Sequence, residues 1–223
     1  FKQKTAYEIV DCDWSSDVCS SDLVLPGGVR YAGRVHEQPQ HGWPVRRLDI
    51  RLGHDGYLGG ALAAKAGRNA ALLRQALAEQ PGDAYLWYQL GKDHDVYERW
   101  AEAVQAFDHA AGLPGDAPWR HDLCVRTLHA LKRCGRHGEA VQRAEAELNR
   151  WQDSPDFFFA LGDLLLDWAA QAPERAAEMV PMIEAAWQRC LAIGERPDLE
   201  GAVAGRGSHL AEHNLRLLHR LLG

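Results

Sequence analysis

The chain has 223 residues, of which 46% are hydrophobic and 25% charged, and its formal net charge is -6. That length can bury a real core in one large or two small domains. It carries no Lys/Arg cluster of the kind that marks nucleic-acid binders, and no apolar run near the roughly 18 residues that a membrane span needs. The expectation is therefore a globular chain with no nucleic-acid partner and no transmembrane segment. Five cysteines without a CxxC pair or a secretion signal suit a reducing compartment, so the expected location is cytoplasmic.

Residues 1–23, FKQKTAYEIVDCDWSSDVCSSDL, have no amphipathic period and fit neither a signal peptide nor a purification tag. Codons for Lys2–Ile9 and for Trp14–Leu23 can be chosen in one frame to spell two blocks that resemble the constant parts of a short-read sequencing adapter. Val10–Cys12 fall where such an adapter carries its sample index. The segment is expected to be a translated adapter fused to a truncated reading frame, and to be disordered.

From Val24 to Tyr57 the chain is rich in Gly and Pro. Its VRRLDIRLGH stretch alternates Val45, Leu48, Ile50 and Leu52 imperfectly with charged residues, which predicts a strand between loops. From about Leu58 the apolar spacing becomes three and four, broken by PGD, PGDAP, DSP and ERPD, and helix follows helix. A repeat is visible here. Trp87, Leu90 and Gly91 match the first-helix W-x2-L-G pattern of tetratricopeptide units, Ala103 and Phe107 supply its A-x3-F, and Ala110 and Pro114 complete the second helix and its stop. Ala76, Leu77 and Pro81 end a preceding unit in the same way. Gly135 and Ala140 suggest a degenerate unit, and Phe158, Leu161 and Gly162 open another, whose second helix is IEAAWQRCLAIGERPD.

The small residues let two helices approach while the large ones fill the groove between successive hairpins, so one unit alone cannot bury its face and three or more are expected to stack. A turn at Gly205 and Gly207, an N-cap at Ser208 and a helix bearing Leu210, Leu215, Leu217, Leu218 and Leu221 should close the array. The expected fold class is all-α: residues 58–223 form a tetratricopeptide-like right-handed superhelix of antiparallel helix pairs.

Two stretches, GRVHEQPQHGWPVRRLDIRLGHDGY and KAGRNAALLRQALAEQPGDAYLWYQLGKDHDVYERWAEAVQAF, resemble bacterial family 2 glycosyltransferases that carry tetratricopeptide repeats behind the catalytic domain. Gly33, Val35, His36 and Glu37 match a Gly-x-Val-His-Glu element at the end of that catalytic domain. His54, Gly56 and Tyr57 match a His-x-Gly-Tyr element, followed by Arg68, Asn69, Leu72 and Leu73. The resemblance implies that residues 24–57 are the remnant of a GT-A-like α/β domain. It further implies a parent enzyme that uses a nucleotide-sugar and a divalent metal, Mg or Mn. The family's Asp-x-Asp donor segment has no counterpart here, so the chain by itself should not transfer sugar and should need no cofactor. The competing reading is a tetratricopeptide interaction adaptor in which residues 24–57 are an N-terminal extension.

Candidate residues follow from both lines. His36 and Glu37 set an imidazole beside a carboxylate, which could ligate a metal at a donor diphosphate or act on an acceptor; His54 would support the same metal site. As a bare dipeptide, His36–Glu37 reads first as a surface loop pair, and only the family resemblance brings the functional reading level with it. Tyr85, Tyr88, Lys92 and Asp95 fall on first-helix positions that commonly line the groove of tetratricopeptide arrays, where a peptide, protein or carbohydrate acceptor would sit, although aromatics on such a stripe are more often packing residues. His209 and His213 fit H-x-x-E-H, a zinc hydrolase pattern, but on a leucine-rich closing helix they read as a solvated face. Cys124, Cys134 and Cys190 lack metal-ligand spacing and read as small packing residues.

Overall fold

A computed structural model describes the strand residues 30–32 and 38–40 and all of residues 67–222. The strands β1 (Arg30–Ala32) and β2 (Gln38–Gln40) pair antiparallel in the register Arg30↔Gln40, Tyr31↔Pro39 and Ala32↔Gln38. The strand expected around Val45–Leu52 lies outside the described residues, as do His36, Glu37 and His54.

From residue 67 onward the described chain is all α-helical, with eight helices and one 3-10 turn at Pro173–Arg175. The helices are α1 (Arg68–Glu79), α2 (Ala84–Val96), α3 (Trp100–Gly112), α4 (Arg120–Arg133), α5 (His137–Glu147), α6 (Pro155–Gln171), α7 (Ala176–Ile193) and α8 (His209–Leu222). The chain divides into two compact units, 1–81 and 82–223. In the first, α1 buries Ala70, Leu73, Ala76 and Leu77, an i, i+3, i+4 stripe.

In the second unit the helix ends are chemically defined. Asp83 caps α2 by accepting from the backbone N–H of Tyr85 (2.8 Å) and of Leu86 (3.2 Å). Ser154 caps α6 by accepting from Phe157 N–H at 3.0 Å, with Pro155 at the first helical position, where no donor is lost. Gly135 ends α4 at φ +71°, and the N–H groups of Gly135 and Arg136 return to the carbonyls of Lys132 and Leu131. At the closing helix the Ser208 carbonyl accepts from Glu212 N–H (3.1 Å), while its hydroxyl, expected as the cap, donates to Glu195 Oε1 (2.6 Å).

From α2 onward each helix packs on its neighbour in sequence, and α4 also packs on both α2 and α6. The first helices α2, α4 and α6 therefore follow one another in a row. Gly91 sits so close to Phe107 that a Cβ there would overlap the ring, and a Cβ at Gly162 would lie 2.5 Å from Trp187 Nε1. Phe107 and Trp187 are among the most deeply buried side chains. At the same offset in the middle hairpin stand Leu128 and Ala144, both buried, with the large residue on the first helix and the small one on the second. These contacts build two apolar clusters: one around Phe107, Leu128, Leu131 and Phe157, the other around Leu165, Ile183, Trp187 and Leu215.

Candidate functional site

The first-helix row carries a buried polar network. Tyr88 on α2 donates its hydroxyl to Asp122 Oδ2 on α4 at 2.7 Å. Arg126, one turn further along α4, donates through Nε to the same oxygen (2.5 Å) and through a terminal nitrogen to Asp95 Oδ2 on α2 (2.6 Å). Burial opposes ionisation of Asp122, but the Arg126 guanidinium, then Lys92 and the Tyr88 hydroxyl, outweigh it and hold the carboxyl below its usual range. Tyr88 is pushed well above the ordinary phenol value by burial first and by the Asp122 charge next, with Glu200 adding to it. Two helices are thus joined by charge-assisted hydrogen bonds in a low-dielectric setting, where each is stronger than at the surface.

Aromatic rings flank the network. Trp119 stacks on Tyr88 with centroids 4.9 Å apart and meets Tyr85 edge-on at 5.9 Å. Lys92 Nζ stands 5.2 Å from the Tyr88 ring centroid. The four groove residues expected from sequence are therefore brought together with Trp119, Asp122 and Arg126, but unequally. Tyr88 is 2% exposed and its hydroxyl is committed to Asp122, so it is part of the wall, whereas Tyr85, Lys92 and Asp95 are half-buried.

A second group at the N-terminal ends of α4 and α6 engages the segment that joins α7 to α8. His121 Nδ1 donates to the Glu200 carbonyl at 2.7 Å, and its Nε2 lies 2.6 Å from Ser154 Oγ. Asp156 Oδ1 accepts from Val203 N–H and from Arg206, each at 2.9 Å. Arg196 donates to the Asp153 carbonyl at 3.0 Å. Gly201, at φ +74°, lies on Asp122 so closely that a Cβ would fall 2.6 Å from the Asp122 Cβ. Sequence reasoning missed these residues, whose partners lie 33 to 79 positions away and share no local pattern with them. The one available signal was the Ser154–Pro155 helix start.

The described cysteines hold no reactive thiol arrangement. Burial, aided by Glu147, pushes Cys124 up to about 12; burial, aided by Asp156, does the same for Cys190, whose thiol donates to the Pro155 carbonyl (3.2 Å). His209 and His213 lie exposed on α8, and among the described residues no group of three or more His, Cys, Asp or Glu side chains is placed to hold a metal ion. No described helix is long and apolar enough to cross a membrane. No protein-family model matches the chain, and a comparison with curated proteins gives no match.

Proposed function

We propose that residues 58–223 are the tetratricopeptide-type recognition region of a family 2 glycosyltransferase, and that the first-helix face carrying Tyr85, Lys92 and Asp95 receives the acceptor or a protein partner. The observation that carries the array reading is the repeated small-against-large contact, Gly91 on Phe107 and Gly162 on Trp187, at corresponding places in two hairpins. Helical repeats that alternate in this way leave their first helices in a row, the usual seat for an extended ligand. The half-buried aromatic and charged side chains of that row match the chemistry of peptide or carbohydrate recognition: flat rings for packing, with Lys92 and Asp95 for orientation.

The sugar-transfer reaction itself belongs in this reading to an upstream domain that holds the nucleotide-sugar and its divalent metal. In this reading no chemical step is assigned to the described residues. His36, Glu37 and His54 remain candidates in the parent. Residues 1–23 are read as adapter-derived and carry no function.

The test is to recover the uninterrupted gene from the source DNA, express its full product and assay transfer from a set of nucleotide-sugars. Transfer abolished by substituting an upstream Asp-x-Asp would support the parent enzyme. An upstream region without a nucleotide-sugar domain would overturn it and leave a repeat adaptor.

A further inference from the structure

The segment Glu195–Ser208 leaves α7, crosses the N-terminal ends of α6 and α4, and returns to α8. We propose that it is an intramolecular strap seated on the recognition face, which must lift before an extended partner segment can bind. The proposal rests on the reading of the first-helix row as the recognition face.

Three observations carry it. First, the strap docks through its backbone at three points: the Glu200 carbonyl on His121, the Gly201 Cα against Asp122 and the Val203 N–H on Asp156. Main-chain pairing with fixed side chains is how extended peptides are held, so the face already presents the donors and acceptors that such a ligand needs. Secondly, the strap buries little apolar surface of its own. Leu199 and Ala202 are half-buried, Ala204 is exposed and Val203 is 39% exposed. The side-chain anchor of its outer part, Arg196 on the Asp153 carbonyl, is an exposed bond that water can replace at low cost, unlike a buried Leu or Phe, whereas Arg206 on the buried Asp156 belongs to the foot. Thirdly, its foot is closed by bonds of its own. Glu195 Oε1 accepts from Gly205 N–H (3.0 Å) and from the Ser208 hydroxyl (2.6 Å), and Gly207 lies against the Gly194 carbonyl. The ends of the loop are thereby held together, as in a compact Ω-loop, and Arg196–Ala204 can swing away with α7 and α8 undisturbed.

The partner this fits is an extended segment that offers a carbonyl to His121 and a backbone N–H to Asp156, with a glycine or a kink where Asp122 leaves no room for a side chain. A synthetic peptide of residues 195–208 is the probe, used with the full chain. Native-state hydrogen exchange of the wild type should show amides from Leu199 to Val203 opening without α4 and α6. In Gly201→Ala, whose new Cβ cannot coexist with the docked position, those amides should exchange at least about tenfold faster while α2 to α6 stay protected. The peptide should then bind the variant and not the wild type. If Gly201→Ala fails to fold, Arg196→Ala removes an exposed anchor and should give the same pattern more weakly. Strap amides that exchange only with global unfolding, or a peptide that binds wild type and opened variant alike, would overturn the proposal. Because the peptide assay needs no sugar donor, it can fail or succeed independently of the glycosyltransferase reading.

Discussion

Tyr88 and Asp122 are joined across helices α2 and α4 by a 2.7 Å hydrogen bond, and the same carboxylate oxygen receives Arg126. Removing either partner leaves a different debt. Tyr88→Phe deletes one donor to a charged acceptor that keeps Arg126, and should cost about 2 kcal/mol. Asp122→Asn strands the Arg126 guanidinium with Asp95 alone and should cost about 3 kcal/mol or more. Urea denaturation followed by circular dichroism measures both. The double variant should lose less than the sum, because both changes act on one oxygen; strict additivity would show that the Tyr88 bond is energetically idle.

The same carboxylate sets an acid dependence. Its folded-state value lies below the ordinary 3.8, so the unfolded chain binds the proton first as pH falls. The stabilisation from Asp122 is complete above 3.8 and is lost as pH drops through the lower folded-state value. Stability of the wild type should therefore rise with pH across the acid range more steeply than that of Asp122→Asn. Parallel curves for the two proteins would remove Asp122 as the titrating group.

The helices were legible because their information is local. Trp87, Leu90 and Gly91 recur at the helical period, and a small residue followed at the right offset by Phe107 implies two helices in close approach. Asp122 and Arg126 were not legible, since a charged pair one turn apart on a helix ordinarily reads as a solvated face; only the neighbouring α2 turns it into a buried network. Ser208 shows the same limit in reverse. It stands where a cap belongs, yet its hydroxyl is drawn to Glu195, thirteen positions earlier in the chain. Local rules place an element's end but do not see a competing acceptor brought in by a loop.

Thiol accessibility gives a further check on the core. Cys124 and Cys190 are buried and both are pushed up to about 12, so neither thiolate is populated or reachable in the folded chain at pH 8. Brief treatment with iodoacetamide followed by peptide mapping should leave both unlabelled, with full labelling in urea. Native labelling of Cys190 would mean that α7 separates from the Pro155 end of α6 on the experimental timescale.

The approach of α2 to α3 rests on Gly91, and its consequences separate packing from propensity. Alanine is the better helix former, so Gly91→Ala should stabilise α2 by about 1 kcal/mol if nothing stood nearby. The Phe107 ring occupies that space, and because its wall is fully buried it cannot turn aside; overpacking of this kind costs about 1–3 kcal/mol and outweighs the propensity gain. Gly82→Ala is the matched control, since a Cβ there meets nothing within 4 Å, and it should change stability by less than about 0.5 kcal/mol. Phe107→Leu alone should also be destabilising, through the cavity that the lost ring leaves. Combined with Gly91→Ala, however, the added methyl partly fills that cavity, and the pair should be less harmful than the two separate losses predict. The middle hairpin already stands at the far end of this exchange, with Leu128 on its first helix and Ala144 on its second. Calorimetric melting of the two single variants and the double variant measures the coupling. A double variant as unstable as the sum would mean that helix spacing here is fixed by something other than the Gly91–Phe107 contact.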